Sequence, residues 1–516
     1  MRGSKDRQSL LVIVLLALAG WVYLFLLLPE RIGVGADTVI FYGAAHNLQQ
    51  GQGLTLSFDS TFAGNKGELM THFPPLFPAL LAGLALLAGD VESAAWFWSI
   101  TAFSLLILAI GLLVRFYCPH TFWPPVLAAF FTLSAATTIR LYTVTHSESL
   151  FLLLWLSSFF LLDRYGQRPY RSTLVFSALL AGLTFLTRYA GIAFILTGSL
   201  WLLLRRGWKT TGGWLWAATY GFLSLLPMLL WLLYAGQSGS ATNRDLTVHW
   251  IADYHVWQGV YTVSAWSTPD NIPLLLRLVV WLVMFGSLGW LILRRHFSQA
   301  HMPAHVPDFF KLLLLNLVVY LAFIVFSISF MDIQIRLTER ILSPVYLSLL
   351  LLGAYGITIW WSQAASSARR VMALAGSTLC LAYLVSMVYT FADIRQNGEH
   401  YTGVAWRDSE TLAFLQASDG RTTTISNGPD IIYYYTGLPA LAVPAQYHDT
   451  SMLPNEAYEA ELQATAAQLA SGAQLVLFQD MAWRWFLPDE PTLLNALPLQ
   501  PIHRFADGTI YIWDGE

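Results

Sequence analysis

Long apolar runs separated by short polar connections dominate the chain. A helix crosses a bilayer with about 20 apolar residues. The first run, 10–28, follows three basic residues and exceeds the length of a signal-peptide core, so it is interpreted as a retained span. The other runs of spanning length are 93–114, 123–140, 148–162, 213–234, 273–293, 311–331, 341–361 and 370–391.

Two further apolar stretches are ambiguous. Residues 172–204 form either one very long helix or two short helices broken at Arg188-Tyr189. Residues 74–89 begin with two prolines and are short for a span, which fits a re-entrant or interfacial helix. Cytoplasmic loops of membrane proteins carry more Lys and Arg than outer loops do. The chain follows this rule if residues 172–204 cross the membrane twice and residues 74–89 do not cross it.

This choice predicts about 11 transmembrane helices with the N-terminus inside and the C-terminus outside. Fifteen basic residues then lie in the cytoplasm: Arg2, Lys5, Arg7, Arg115, Arg164, Arg168, Arg171, Arg205, Arg206, Lys209, Arg294, Arg295, Lys311, Arg369 and Arg370. Seven lie in the outer loops: Arg31, Lys66, Arg140, Arg188, Arg244, Arg336 and Arg340. The long polar stretches 29–92, 235–272, 332–340 and 392–516 all fall outside, so the chemistry is expected on that face.

Composition supports a membrane protein and excludes other classes. The chain has 516 residues, of which 11% are charged, against about 25% in soluble domains. Lys and Arg (28) nearly balance Asp and Glu (31), so nothing indicates a nucleic-acid partner. The two cysteines, Cys118 and Cys380, lie at or in apolar segments, which argues against a disulfide scaffold or a cysteine metal site.

The C-terminal region changes character and predicts a small extracytoplasmic α/β domain. We therefore divide the chain into a transmembrane domain, 1–393, whose first outer loop is 29–92, and a domain over 394–516. The predicted elements of the latter are a helix 404–417, strand 421–426, turn 427–430, strand near 439–443, helix 455–471, strand 474–479, and hairpin 502–513 turning at Asp507-Gly508.

Two carboxylates stand out on the outer side. Asp37 precedes a predicted short helix, 38–50, and its ordinary role is that of an N-cap residue. Glu148 follows Thr145-His146-Ser147 at the edge of an apolar run, where a carboxylate is expensive unless it faces a cavity. Glu148 is therefore a functional candidate, although an interfacial acid near a helix start remains the alternative.

Cations and aromatic residues lie near the same face. Arg188, at the apex between two short helices, is expected to need an anionic partner. Arg336 and Arg340 precede the tenth span and either bind phosphate or anchor at lipid headgroups. The loop 237–271 is rich in aromatic residues that either form an interfacial belt or stack on sugars. Tyr42 is a further candidate substrate contact.

Two carboxylates and several cations on one side suit the transfer of a sugar from a lipid phosphate. Cations stabilise a phosphate leaving group as its charge develops, and a carboxylate accepts the proton of the incoming hydroxyl. The sequence shows no P-loop and no Gly-rich dinucleotide turn, which fits a donor that arrives already linked to lipid.

The order of these features resembles the GT-C class of membrane glycosyltransferases. The features are the Asp37 helix, Pro74-Pro75-Leu76-Phe77-Pro78, Ser147-Glu148, Leu186-Thr187-Arg188, and Arg340 four residues before Pro344. The resemblance covers about 8–365 and is nearest the branch of protein O-mannosyltransferases and the aminoarabinose transferase of lipid A. It implies an inverting transfer from a polyprenyl-phosphate sugar, with Asp37 and Glu148 as the catalytic carboxylates.

The resemblance also exposes departures from the family pattern. The aminoarabinose branch has a metal-binding Glu and a phosphate-binding Lys where this chain has His72 and Phe73. A divalent metal ion held by His72 and Glu148 therefore stays an open prediction, and His72 is also a candidate substrate contact. Arg188 and Arg340 become the main phosphate-binding candidates. A single Asp in the first outer loop argues mildly against a protein acceptor, so the acceptor is a glycan, a lipid or a protein.

Two other functions fit parts of the pattern. A polytopic transporter or lipid flippase would use the same charges along a pathway, but no internal repeat is evident and the polar loops are one-sided. A polysaccharide polymerase or ligase of another fold shares the donor chemistry. The outer segments carry no Asn-x-Ser/Thr site, which fits a multi-pass protein of the bacterial inner membrane.

Overall fold

The computed structural model describes residues 2–29, 32–237, 247–269, 272–279, 281–282, 306–418 and 420–515. Fourteen α-helices whose bounds fall within these residues precede the C-terminal sheet region. Their bounds are α1 Arg2–Leu27, α2 Ala36–Gln49, α3 Leu76–Ala88, α4 Val91–Tyr117, α5 Trp123–Ser134, α6 Ala136–Thr143, α7 Glu148–Gln167, α8 Arg171–Thr187, α9 Ile192–Arg206, α10 Thr211–Gln237, α11 Asp253–Ser264, α12 Asp308–Phe330, α13 Glu339–Gln363 and α14 Ser366–Asn397.

The protein is a multi-pass membrane protein. Seven described helices are long and apolar enough to cross a membrane, or eight if the bent pair α5–α6 counts as one span. Helix α1 has the apolar outer surface that contact with lipid requires: its Leu11 and Leu18 side chains are 59% and 57% exposed. The predicted span 273–293 lies largely outside the described residues, so the count of about 11 and the orientation stay predictions.

The structure confirms the predicted break in 172–204. Helix α8 ends at Thr187 and α9 begins at Ile192, with a short 3₁₀ turn between them. The predicted short helix in 74–89 is also present as α3. The predicted span 123–140 corresponds to two helices, α5 and α6, between which the chain bends by 51° at Ala135.

The region after α14 contains a five-stranded mixed sheet, in the order β2-β1-β3-β5-β4. Strands β1, β2 and β3 are parallel, and β5 pairs antiparallel with both β3 and β4. The elements are α15 Val404–Arg407, α16 Glu410–Ala417, β1 Thr424–Ser426, α17 Pro429–Thr436, β2 Leu441–Ala442, α18 Tyr458–Ala470, β3 Gln474–Phe478, α19 Glu490–Ala496, β4 Leu499–Arg504 and β5 Gly508–Trp513.

Strand β3 joins this sheet to the rest of the protein. All five of its residues are buried, and successive side chains point to opposite faces. Leu475 and Leu477 pack in the core between the sheet and its outer helices. Val476 and Phe478 belong instead to the large core that continues into the transmembrane helices. The sheet therefore packs closely on the helical region.

Several local predictions for this region need correction. The predicted helix 404–417 is two helices, because Ser409 caps α16 by accepting a hydrogen bond from the Leu412 backbone N–H. The predicted turn 427–430 is only the lead into α17, which begins at Pro429 and ends before the left-handed Gly437. Proline at the start and glycine after the end are ordinary helix signals. The two hairpin strands and helix α18 lie close to their predicted positions.

Candidate active site

Both predicted catalytic carboxylates lie in the first turn of a helix. Asp37 is the second residue of α2, and Glu148 is the first residue of α7. Unpaired backbone N–H groups make a helix N-terminus favourable for negative charge. Gly35, not Asp37, is the N-cap residue of α2, which leaves the Asp37 carboxylate available for other contacts.

Backbone pairing brings three distant segments together beside these helix starts. Gly33 pairs in parallel with Val144, and Val34 pairs in parallel with His400. The Gly33 N–H donates to the Thr143 carbonyl at 2.8 Å. A Cβ on Gly33 would lie 2.8 Å from that same carbonyl oxygen, so a glycine is needed there. The strand-like pairing fixes the position of Asp37 relative to Glu148.

Arg340 connects the two carboxylates. Its Nε donates to Glu148 Oε1 at 2.7 Å, and its Nη2 donates to Asp37 Oδ2 at 2.8 Å. The side chain of Glu148 is only 1% exposed, whereas those of Asp37 and Arg340 are 25% and 26% exposed. Hydrogen bonds between ionised partners are the strong ones in proteins. Arg340 therefore holds residues from α2, α7 and α13 in one cluster.

Arg188 extends this cluster on the side of Glu148. It lies just after α8, where a cation is favourable at a helix C-terminus. Its Nη1 lies 2.6 Å from Glu148 Oε1 and donates to Ser147 Oγ at 3.1 Å. Its Nε and Nη2, like Nη1 of Arg340, have no hydrogen-bond partner among the described residues. Both arginines thus keep donors for an anionic ligand.

The charges of the cluster balance as two guanidiniums and two carboxylates. Burial opposes ionisation of Asp37, but the guanidinium of Arg340 outweighs this effect and holds the pKa of the carboxyl below its ordinary value. Asp37 is consequently ionised at neutral pH. An anion that binds the arginines has to share them with these carboxylates.

Two histidines that the sequence did not single out lie beside Asp37. His146 is buried, and its Nδ1 has no hydrogen-bond partner among the described residues. Burial lowers the pKa of His146 to about 3, and the charge of Arg340 acts in the same direction. The ring centroid of His400 is 6.4 Å from that of His146. His400 comes from the segment after α14, so its proximity depends on the tertiary structure.

A second ionic cluster supports the His400 segment. Arg140 of α6 lies 2.7 Å from Asp393 and 3.2 Å from Glu399. Burial raises the pKa of Glu399 to about 7, although Arg140 opposes that shift. This cluster attaches the end of α14 to the bent span α5–α6.

The remaining predicted site residues, Tyr42, His72 and Arg336, lie outside the ion-paired cluster of Asp37, Glu148, Arg188 and Arg340. The Tyr42 hydroxyl lies 2.8 Å from Thr145 Oγ1, so it supports the segment before Glu148. The Tyr189 hydroxyl donates to the Thr71 carbonyl at 2.6 Å, which holds the His72 segment against the turn of Arg188. Arg336 is exposed and forms no ion pair with a described residue. Substrate contacts by Tyr42, His72 and Arg336 stay predictions.

The predicted metal site at His72 and Glu148 does not fit the described residues. They contain no group of three or more His, Cys, Asp and Glu side chains that could hold a metal ion. The ring of His72 packs edge-on against Phe62 and Phe73. Oε1 of Glu148 is already bound by two guanidiniums, which a cation would have to displace.

Comparison with solved structures identifies the fold. ArnT from Cupriavidus metallidurans bound to undecaprenyl phosphate matches with a TM-score of 0.59 and 14% identity, over 97% of both chains. The chain has the GT-C fold. The GT-C resemblance drawn from the sequence is thereby confirmed. The Archaeoglobus fulgidus oligosaccharyltransferase, solved with Zn and sulfate, matches with a TM-score of 0.52 and 14% identity, over 97% of this chain and 73% of the other.

Other comparisons agree with this GT-C assignment. AglB from Archaeoglobus fulgidus, solved with an inhibitory peptide and a dolichol-phosphate, matches with a TM-score of 0.53 and 12% identity, over 99% of this chain and 75% of the other. The family model for dolichyl-phosphate-mannose-protein mannosyltransferase matches residues 72–231, which include Glu148 and Arg188. No curated protein sequence matches the chain.

Proposed function

We propose that this GT-C protein is an inverting glycosyltransferase that moves a sugar from a polyprenyl-phosphate donor to an acceptor at the outer face of the membrane. One observation carries the proposal: Arg340 bridges Asp37 and Glu148, and Arg188 binds the same glutamate. This arrangement places a carboxylate base beside guanidiniums with free donors. Transfer of a sugar from a lipid phosphate needs both: the base takes the proton of the incoming hydroxyl, and the guanidiniums stabilise the departing phosphate.

The choice of donor rests on the cluster and on the relatives. The ArnT structure contains undecaprenyl phosphate, and the AglB structure contains a dolichol-phosphate. Guanidiniums bind phosphate through parallel N–H donors. Nε and Nη2 of Arg188 and Nη1 of Arg340 supply such donors here. The sequence carries no nucleotide-binding motif, which agrees with a donor that is already linked to lipid.

The reaction uses Asp37 as the base. An acceptor hydroxyl attacks the anomeric carbon of the sugar from the side opposite the phosphate. The new C–O bond forms as the bond from the anomeric carbon to the phosphate oxygen breaks, and polyprenyl phosphate leaves. Asp37 takes the hydroxyl proton. Arg188 and Arg340 stabilise the negative charge that develops on the phosphate oxygen.

Arg340 links donor binding to the strength of the base. A carboxylate bound by a guanidinium is a weak base, and the pKa of Asp37 is accordingly low in the ligand-free protein. A bound phosphate competes for the same guanidinium. As Arg340 turns donors toward the phosphate, Asp37 loses part of that stabilisation and becomes more basic. Glu148 stays in place and keeps both arginines oriented.

The remaining assignments complete the proposal. The chain has about 11 transmembrane helices with the N-terminus inside, lies in the bacterial inner membrane, and works on its extracytoplasmic side. Residues 394–516 form an extracytoplasmic α/β domain. Tyr42 and His72 line the substrate pocket, and exposed Arg336 contacts lipid or donor phosphate. The acceptor is a glycan, a lipid or a protein.

The test uses purified full-length protein in detergent or nanodiscs. Undecaprenyl phosphates carrying different radiolabelled sugars are incubated with lipid A, a Ser- and Thr-containing peptide, or a methyl hexoside, and release of free undecaprenyl phosphate is followed. Wild type is expected to release it with at least one pair. Asp37→Asn is expected to lose at least 10²-fold in rate, the usual scale for a general base, while it still binds undecaprenyl phosphate. Near-normal turnover by Asp37→Asn would remove the base assignment.

A further inference from the structure

The strongest unexplained feature near the site is the residue that the C-terminal region inserts beside Asp37. His400 follows α14 by three residues and pairs through its backbone with Val34, three residues before Asp37. The Tyr401 N–H donates to the Val34 carbonyl at 2.9 Å, which continues this pairing. The position of His400 relative to Asp37 is therefore set by main-chain pairing between the two segments.

The His400 side chain is available for a ligand. The residue is exposed, and its ring makes no hydrogen bond to a described residue. Its backbone adopts a left-handed conformation with φ of 50°, which is uncommon outside glycine. Such conformations persist where surrounding contacts hold them, and they concentrate at functional sites. The hydrogen bonds and ion pairs of this segment are made by its neighbours, and the imidazole itself makes a ring contact only with His146 among the described residues.

Those neighbours are firmly attached. Glu399 lies 3.2 Å from Arg140. The Tyr401 hydroxyl donates to Asp430 at 2.7 Å, and Asp430 is in turn paired with the fully buried Arg484 at 2.6 Å. One side of His400 is thus fixed to the transmembrane helices and the other to the sheet region. The C-terminal region presents this one side chain to the site on a rigid segment.

The chemistry of the His400 ring suits a hydroxyl. Partial enclosure and the charge of Arg340 lower the pKa of His400, so the ring is neutral at pH 7. A neutral imidazole offers one N–H donor and one nitrogen acceptor, which matches a sugar or alcohol hydroxyl. A phosphate is better bound by the guanidinium donors of Arg188 and Arg340.

We propose that His400 binds the acceptor hydroxyl group, or a hydroxyl next to it, beside Asp37. This inference rests on the proposed glycosyl transfer and adds a residue that positions the acceptor. The geometry supports the acceptor over the donor. The reacting hydroxyl has to reach the Asp37 carboxylate, and the neutral ring beside that carboxylate is suited to hold a hydroxyl there, whereas the donor phosphate is bound by the arginines. The C-terminal region thereby selects acceptors through a side chain inside the active site.

The test compares His400→Asn with wild type in the transfer assay. Asparagine tolerates the left-handed backbone, so the change removes the imidazole without straining the chain. The KM for the best acceptor of the panel is expected to rise about five- to tenfold, the scale of one lost hydrogen bond. The KM for the undecaprenyl-phosphate sugar and the kcat should stay within about twofold. His448→Asn, an exposed histidine elsewhere in the region, is the matched control and should change neither.

Each other outcome counts against the proposal. An unchanged acceptor KM would show that His400 does not touch the acceptor. A parallel rise in donor KM, or lower thermal stability together with weaker undecaprenyl phosphate binding, would assign His400 a donor-side or structural role. Should His400→Asn fold poorly, His400→Gln is measured in the same way. If wild type releases no undecaprenyl phosphate with any donor, the proposed function itself fails, which is a distinct result.

Discussion

The Glu148→Gln substitution tests whether this glutamate offsets the charge of the phosphate-binding arginines. Glutamine keeps the shape of the side chain and one acceptor oxygen but removes its negative charge. The Glu148 side chain is only 1% exposed. Arg188 and Arg340 then retain one neutral acceptor in place of a shared carboxylate. The substitution should lower the stability of the ligand-free protein and raise its affinity for phosphate. These opposite signs make the prediction specific.

The magnitudes follow from the hydrogen bond that Arg340 donates to Glu148 Oε1 at 2.7 Å and from the ion pair of the same oxygen with Arg188 at 2.6 Å. Hydrogen bonds to charged groups contribute about 1.5–3 kcal/mol and neutral ones about 0.5–1.5 kcal/mol. Loss of the charge therefore costs about 2 kcal/mol, or a few degrees in Tm. A carboxylate near a bound phosphate costs about 2 kcal/mol at an effective dielectric constant of 20. Solvent at the two arginines reduces this to about 1 kcal/mol, or roughly fivefold in Kd.

The assay is thermal unfolding of the purified protein over a titration of undecaprenyl phosphate. Glu148→Gln is expected to start at a lower Tm than wild type and to gain more stability per increment of ligand. The matched control is Asp163→Asn, at the other end of the same helix. Asp163 is also buried, and it accepts hydrogen bonds from Tyr117 at 2.6 Å and Gln167 at 2.8 Å.

The control separates a local charge effect from a general loss of stability. Asp163→Asn should lower the Tm without changing undecaprenyl phosphate affinity. Equal or weaker phosphate binding by Glu148→Gln would refute the reasoning, because the glutamate would then assist the ligand and not compete with it.

Three further predictions use the same protein. Arg188→Ala should weaken undecaprenyl phosphate binding about tenfold or more, because charge-assisted hydrogen bonds are lost. Its effect should be much larger than that of Asp37→Asn. Equal affinity of Arg188→Ala and wild type in titration calorimetry would exclude a phosphate contact. The pKa of Glu399, raised by burial to about 7, lies above that of the unfolded chain, so ionisation favours unfolding. Stability should therefore fall by up to about 3 kcal/mol from pH 4.5 to 7, and Glu399→Gln should flatten this slope in thermal unfolding; a slope unchanged in the variant would contradict the assignment. Arg484→Ala should destabilise the C-terminal region by about 3–5 kcal/mol, because it leaves buried Asp430 without its cationic partner, and limited proteolysis should detect the opening. Arg484→Ala as resistant as wild type would show that the pair is not needed.

The local sequence pattern was enough to predict most of the helices and many of the candidate site residues. Apolar runs predict the long helices because a span must satisfy its backbone and contact lipid along its whole length. Arg188 marked the break between α8 and α9, since an arginine is costly inside an apolar run. Glu148 is a candidate because a carboxylate at the edge of an apolar run is costly unless it faces a cavity, and Asp37 is a candidate because it precedes a short helix in the first outer loop and matches the GT-C pattern. Proline at the start of α17 and Gly437 after its end could also have been read from the sequence.

Only the tertiary structure decided which charges meet. Arg340 is 303 residues from Asp37 and 192 from Glu148 in the chain, and no local pattern specifies that pairing. His400 reaches the site through a backbone bridge to Val34, which depends on the packing of the sheet region against the helices. The apolar character that places a segment in the membrane or the core belongs to that segment alone, so it can be recognised in the sequence. Ion pairs and main-chain bridges between distant segments form only when the chain has folded.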